Sequence, residues 1–271
     1  MKSILLYANE DEGLEARLQA AFDLARAYEG HINCAQVTPY NEGYILADPF
    51  GGLYAIPELM AELNKQKETS RERLEARLRA EGLCWNWIEI DGDPAQALVH
   101  YSRMADIIVL TQPGTNGAFS RQALALAGET VTHARTPVLT VPKGSRSFNC
   151  LGRALIAWNG SAESCNALRA ALPMLQAASA VNIVTVTEEP SEFPATQAAE
   201  YLALHGVTAE VRETQRGNRE VSEAIAHEAQ QVGAAYVVMG GYGHSRFREA
   251  VLGGTTRSLL KQDDVPLLIG H

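Results

Sequence analysis

Five short apolar runs appear twice along this chain in the same order, and that recurrence limits the possible folds more than any other feature. The first set is "SILLYA" (3–8), "HINCAQV" (31–37), "CWNWIEI" (84–90), "DIIVLT" (106–111) and "PVLTV" (137–141). The second is "ALIAW" (154–158), "AVNIVTV" (180–186), "TAEVRET" (208–214), "AYVVMG" (235–240) and "PLLIG" (266–270). Each run is β-branched and the gaps carry helical periodicity, which predicts strand–helix units and parallel pairing. The same order twice indicates an internal duplication. Spacing agrees: Gly114 precedes Pro137 by 23 residues, and Gly243 precedes Pro266 by 23. Between the copies lies "PKGSRSFNC" (142–150), a Pro/Gly/Ser-rich junction typical of a domain boundary. The expected fold class is therefore α/β. Two tandem domains are expected, residues 1–145 and 150–271, each a five-stranded, mostly parallel sheet with flanking helices.

Helical segments fill the gaps. In "ESCNALRAALPMLQAA" (163–178), Cys165, Leu168, Ala171, Leu172 and Leu175 form an apolar stripe. Pro173 is expected to kink that helix or end its regular hydrogen bonding early. The segment 57–82 is helical in pattern but sparsely apolar and heavily charged, and reads as a solvated helix. Before it, "YILADPFGGLYAIP" (44–57) is glycine-broken; it reads as a connection packed on the sheet, with a lid or interdomain contact as the alternative.

Composition excludes several functions. The chain has 271 residues, 46% hydrophobic and 20% charged, an ordinary balance for a domain with a core. A net charge of −9 argues against nucleic acid and anionic membranes as partners. The first residues, "MKSILLYANEDEG", are too briefly apolar for a signal peptide, and no run approaches the roughly 18 apolar residues of a membrane span. A cytoplasmic location is expected. Cys34, Cys84, Cys150 and Cys165 are scattered without metal spacing and read as buried, reduced thiols. No metal site is expected within the chain.

The candidate site is "GGYGHSRFREAVLGG", residues 240–254. In an open parallel sheet, ligands bind beyond the carboxyl ends of strands where the strand order reverses, and this loop leaves such an end. It lacks the lysine of a Walker loop and does not fit GxGxxG. It does carry Gly240, Gly243 and Gly253 as G-x2-G-x9-G, followed by "GTTRSLL", which reads as a helix start. Free amides at a helix N-terminus suit phosphate. Arg246, Arg248, Arg257 and Lys261 stand against Glu249 alone, a basic patch on an acidic protein. His244 reads as a solvent-facing loop residue, with phosphate contact as the alternative, and Trp158 as core or pocket wall. No GxSxG or HExxH occurs, so no catalytic residue is assigned.

This arrangement resembles the universal stress protein family, over nearly the whole chain and as two tandem copies. The family's carboxyl-terminal signature is G-x2-G-x9-G-[ST], between the fourth strand and the last helix. Gly240, Gly243 and Gly253 match it, while Gly254 stands at the Ser/Thr position. The family's first strand typically ends in an aspartate followed by Gly-Ser; here "AWNGSAES" places Asn159 there. The resemblance implies a Rossmann-like fold of the adenine nucleotide α-hydrolase-like kind, and ATP or a related adenine nucleotide as ligand, with accompanying Mg2+ left open. It implies that Ala157 and Asn159 lie beside adenine and ribose and that Val186 lines the adenine pocket. It further implies that Gly240, Gly243, Gly253, Gly254 and Thr255 hold ribose and phosphates. The function implied is a stress-response binding and signalling module. The alternatives are an enzyme of the α-hydrolase-like group and a nucleotide-free interaction scaffold.

The first half lacks the pattern. Its matching loop is "TQPGTNGAFSRQALALAGET", with Thr111 opposite Gly240 and Leu124 opposite Gly253; only Gly114 remains. Asn9 and Asp11 stand near the expected acidic position and read as solvated. The short apolar strands "PVLTV" and "PLLIG" read as edges in need of cover, so the two halves are expected to pack as an intramolecular pseudo-dimer. A homodimer is left open.

Overall fold

A computed structural model describes residues 1–39, 45–47, 53–55, 57–115, 117–187, 193–241 and 254–271. All ten duplicated runs are strands. The first five are β1 (Ser3–Tyr7), β2 (His31–Thr38), β5 (Cys84–Asp91), β6 (Ile107–Thr111) and β7 (Val138–Val141). The second five are β8 (Ala154–Ala157), β9 (Val181–Thr187), β10 (Ala209–Gln215), β11 (Tyr236–Gly240) and β12 (Leu267–Gly270). Two further short strands, β3 (Ile45–Ala47) and β4 (Leu53–Ala55), pair antiparallel with each other within the glycine-broken segment.

The ten strands form one sheet in the order β10-β9-β8-β11-β12-β7-β6-β1-β2-β5. Pairing is parallel within each half. The halves meet through β12 and β7, which pair antiparallel with Leu268 opposite Leu139. Both strands are buried along their whole length, so each covers the other's open edge. The outer strands β5 and β10 alternate exposed with partly buried residues, including charged side chains, which suits free edges.

Both faces of the sheet are covered, which is why the inner strands read as continuous apolar runs rather than alternating ones. On one face Leu6, Ile32, Val109, Ile156, Ile183 and Val238 pack against α1 (Leu14–Tyr28), α2 (Pro57–Ala80), α5 (Ala162–Ala177) and α6 (Ala195–Leu204). On the other, Leu5, Ile108, Val138, Leu155, Val237 and Ile269 pack against the second set of helices. These are α3 (Pro94–Tyr101), α4 (Ala118–His133), α7 (Val221–Val232) and α8 (Gly254–Gln262).

Several local readings need revision. Helix α2 is not simply solvated: Ser70, Leu74 and Leu78 are buried at four-residue spacing, and Arg77 pairs with Glu15 of α1. Helix α5 continues one turn beyond Pro173, because the ring stands on the exposed side of the helix and displaces no packed neighbour. Among the thiols, Cys34 and Cys150 are buried, but Cys84 is exposed and Cys165 half-buried. Burial pushes the Cys34 thiol up to about 12. Residues 142–150 are bound down rather than loose. The Phe148 amide donates to the Asp23 carboxylate at 2.8 Å, and the Lys143 amide to Asp263 at 3.2 Å.

Candidate functional site

In the second half the strand order reverses between β8 and β11, and the carboxyl ends of β8, β9 and β11 lie side by side. Ala157 pairs in register with Met239 on one side and Val184 on the other. Ala157 and Val186 are half-buried on the face covered by α7 and α8. Asn159 follows, exposed, its Oδ1 accepting from the Ser161 amide at 3.1 Å. Ser161 caps α5 by accepting from the Ser164 amide at 3.2 Å. Trp158 is buried in the core, its indole donating to the Phe193 carbonyl at 2.9 Å, and is therefore wall rather than reactive group.

The glycines divide by role. A Cβ on Gly240 would come within 2.6 Å of the Ser164 nitrogen and 2.7 Å of the Glu163 carbonyl carbon. Gly240 is thus demanded by the close approach of the first turn of α5, a packing reason independent of any ligand. Gly254 has nothing within 4 Å of a built Cβ, and it opens α8 at an exposed position. Thr255, half-buried, follows it. Gly243 and Gly253 lie outside the described residues, as do His244, Arg246, Arg248 and Glu249. Among the described residues no group of three or more His, Cys, Asp or Glu could hold a metal ion.

The first half presents the same elements with different side chains. Aligned from Asn9 on Asn159 without a gap, Tyr7 falls on Ala157, Gly13 on Glu163 and Arg17 on Ala167. Where Gly240 makes room for Glu163, the first half does the reverse: Thr111 keeps its side chain and Gly13 gives way. A Cβ on Gly13 would meet Thr111 Cγ2 at 2.4 Å. Gly114 is explained by its φ of 65°, a turn conformation that favours glycine.

Arg17 is the functional surprise of this half. It is buried, and its guanidinium spends every N–H on the protein itself. Its Nε donates to the Tyr7 carbonyl at 2.9 Å, and Nη1 donates to Asp11 and to Thr111 Oγ1, both at 2.8 Å. Its Nη2 donates to the Asn9 carbonyl at 2.7 Å and to Asp11 at 3.0 Å. Asp11 and Asn9 are therefore not solvated. Asn9 Nδ2 donates to the Val37 carbonyl, and the Val37 amide donates to Asn9 Oδ1 at 2.7 Å. Sequence periodicity places Arg17 on an otherwise polar-tolerant helix turn; its partners are backbone carbonyls and a threonine 94 residues away, which no spacing reveals.

A cavity of about 350 Å³ remains beside this cluster, lined in part by Tyr7, Arg17, Asp93, Leu110, Phe119 and Leu126. Burial pushes the Tyr7 phenol up to about 12, with the nearby Arg17 charge opposing the shift, so it stays protonated near neutral pH.

Residues 151–271 match the model of the universal stress protein family. A universal stress protein of Synechocystis sp. is 31% identical over 170 residues, covering 60% of this chain and 57% of its own length. This chain therefore spans little more than half of that curated relative. Among solved structures, a universal stress protein from Archaeoglobus fulgidus DSM 4304 superposes with a TM-score of 0.77 at 17% identity. The match covers 99% of this chain and 96% of that one. A functionally unknown protein from Pseudomonas aeruginosa PAO1 gives a TM-score of 0.58 at 16% identity, over 99% and 92%. At these identities the likeness shows the fold, and it extends through both halves.

Proposed function

We propose, since residues 151–271 match the model of the universal stress protein family, that this chain is a binding and signalling module taking one adenine nucleotide at the carboxyl ends of β8, β9 and β11. ATP or a close relative is the ligand. The observation that carries this reading is the asymmetry between the halves. At the end of β8 the small Ala157 stands where the first half has Tyr7, while Gly240 and Ala167 are taken up by close packing against α5 and Gly270. In the first half, a guanidinium whose donors are all used binds the ends of β1 and β6 to α1.

The residues present fit an adenine nucleotide. Ala157 and Val186 offer apolar surface for the base, and Asn159 an amide for a ribose hydroxyl. The open start of α8 at Gly254 and Thr255 offers amides and a positive dipole end for phosphate. Gly243 and Gly253 join them in the proposed phosphate loop. Mg2+ would arrive with the phosphates rather than bind a preformed protein site, consistent with its preference for substrate phosphates over all-protein cages.

Calorimetric titration of the full chain with ATP is expected to give one site per chain. Gly254→Glu places a carboxylate at the start of α8, where it complements the helix dipole but repels phosphate. It is expected to leave the melting temperature unchanged while weakening ATP binding by about tenfold or more, equivalent to about 1.4 kcal/mol. Two equal sites, or unaltered affinity in the folded variant, would overturn the assignment. Sustained ATP turnover by the protein would favour the hydrolase reading instead.

A further inference from the structure

The first-half cavity is not explained by nucleotide binding in the second. It lies where β1 and β6 end, on the face covered by α3 and α4, at the point where the strand order of this half reverses. Such crevices are where open parallel sheets bind ligands. Its volume, about 350 Å³, falls within the roughly 300–1,000 Å³ of small-molecule pockets.

The chemistry of its lining is specific. Arg17 has no N–H left to offer, and its charge is answered by Asp11 at 2.8 Å. Asp93 gives one oxygen to the Gln96 amide at 2.8 Å, capping α3. Glu129, exposed on α4, has no side-chain partner among the described residues. The nearest lysine, Lys143, stands 5.9 Å from the Phe119 ring but pairs with Glu12 at 3.2 Å. The cavity thus carries two uncompensated carboxylates and no free cation among its described lining residues. Tyr7 points to a ligand independently of that charge. It is only 9% exposed, it lines the cavity, and its phenol has no hydrogen-bond partner among the described residues. Its ring is buried while its hydroxyl opens onto the cavity, where a polar group of a ligand can meet it.

We propose that this cavity binds a small organic ammonium: an apolar or aromatic body against Leu110, Leu126 and Phe119, its cation toward Asp93 and Glu129, and its polar edge on the Tyr7 hydroxyl. Phosphates and carboxylic acids are disfavoured, since they would meet the like charge of Asp93 and Glu129. The site is separate from the proposed nucleotide site and requires nothing of it.

Two matched pairs of probes test this on the full chain, with and without ATP. Tryptamine and phenethylamine carry the cation; indole-3-acetate and phenylacetate carry the same rings with the opposite charge. Ligand-observed NMR and calorimetry are expected to show one amine site per chain, with each acid bound at least tenfold more weakly than its amine. Asp93→Asn keeps the cap acceptor and is expected to erase most of that preference. Tyr7→Phe is expected to weaken the amines severalfold, and Leu126→Trp to fill the cavity and abolish binding. Melting curves establish that each variant is folded. Failure of both amines to bind at millimolar concentration, equal binding of amines and acids, or amine binding unaffected by Leu126→Trp and Asp93→Asn would each overturn the proposal. Because ATP titration is read separately, loss of one site leaves the other's result intact.

Discussion

Two glycines of one sequence motif do different work. Gly240 is held against the first turn of α5, where a Cβ would lie 2.6 Å from the Ser164 nitrogen. Gly254 has no described atom within 4 Å of a built Cβ. Gly240→Ala must therefore push α5 off β11 or strain both, and overpacking of this kind costs about 1–3 kcal/mol. A fall in denaturant midpoint with unchanged slope is expected. Gly254→Ala is expected to leave the midpoint in place, so equal destabilisation by the two would show that Gly240 is not a packing glycine. Counting glycines in a loop cannot separate these roles, because the Gly240 neighbour is a helix backbone 76 positions earlier in the chain. The same limit hid Arg17. A basic residue in the first turns of a helix looks solvated until the carbonyls of Tyr7 and Asn9 are seen to surround it.

At the scale of elements, helix α2 shows how charge can dock a segment that has little apolar surface. Leu74 and Leu78 are buried, while Glu15 accepts from Arg77 at 2.6 Å and Glu10 from the Ser70 hydroxyl at 2.5 Å. The hydrogen bond from Arg77 holds the Glu15 carboxyl below its usual value, and the one from Ser70 does the same for Glu10. For a carboxylate held low in the folded state, the stabilisation is present above its ordinary value and is lost as pH falls through the lowered one. Helix α2 is therefore expected to loosen as pH drops below about 4.5, ahead of the sheet. Amide exchange across acid pH checks this: simultaneous loss of protection in α2 and in β1 would count against it. Both carboxylates are substantially exposed, so raised salt should blunt the effect. The helix was legible in its sequence but its docking was not, since among its described residues only Ser70, Leu74 and Leu78 are buried. The inner strands were legible because burial on both faces leaves continuous apolar runs, and the outer β5 and β10 because their residues alternate. The hairpin of β3 and β4 was not, because three-residue strands carry too little periodicity to read.

For the molecule as a whole, the joint between β7 and β12 decides whether the halves are independent. Three backbone registers, from Thr140 with Leu267 to Val138 with Ile269, join them. Gln112 reinforces the joint by donating across it to the Val265 carbonyl at 2.6 Å. Residues 151–271 expressed alone would expose β12, an apolar strand of the kind that pairs with another copy. They are expected to dimerise or to melt well below the full chain, as sedimentation and thermal unfolding would show. A monomer as stable as the parent would mean the joint contributes little.

That joint also sets the direction of everything bound. Because β7 and β12 run opposite ways, the carboxyl ends of the two parallel sets emerge at opposite poles of one slab. A molecule seated above β8 and another seated above β1 could never touch, and neither could compete for the same approach from solvent. A partner arriving at one pole would find the other still open. The two proposed sites thus lie at opposite ends of one sheet, each with its own approach from solvent.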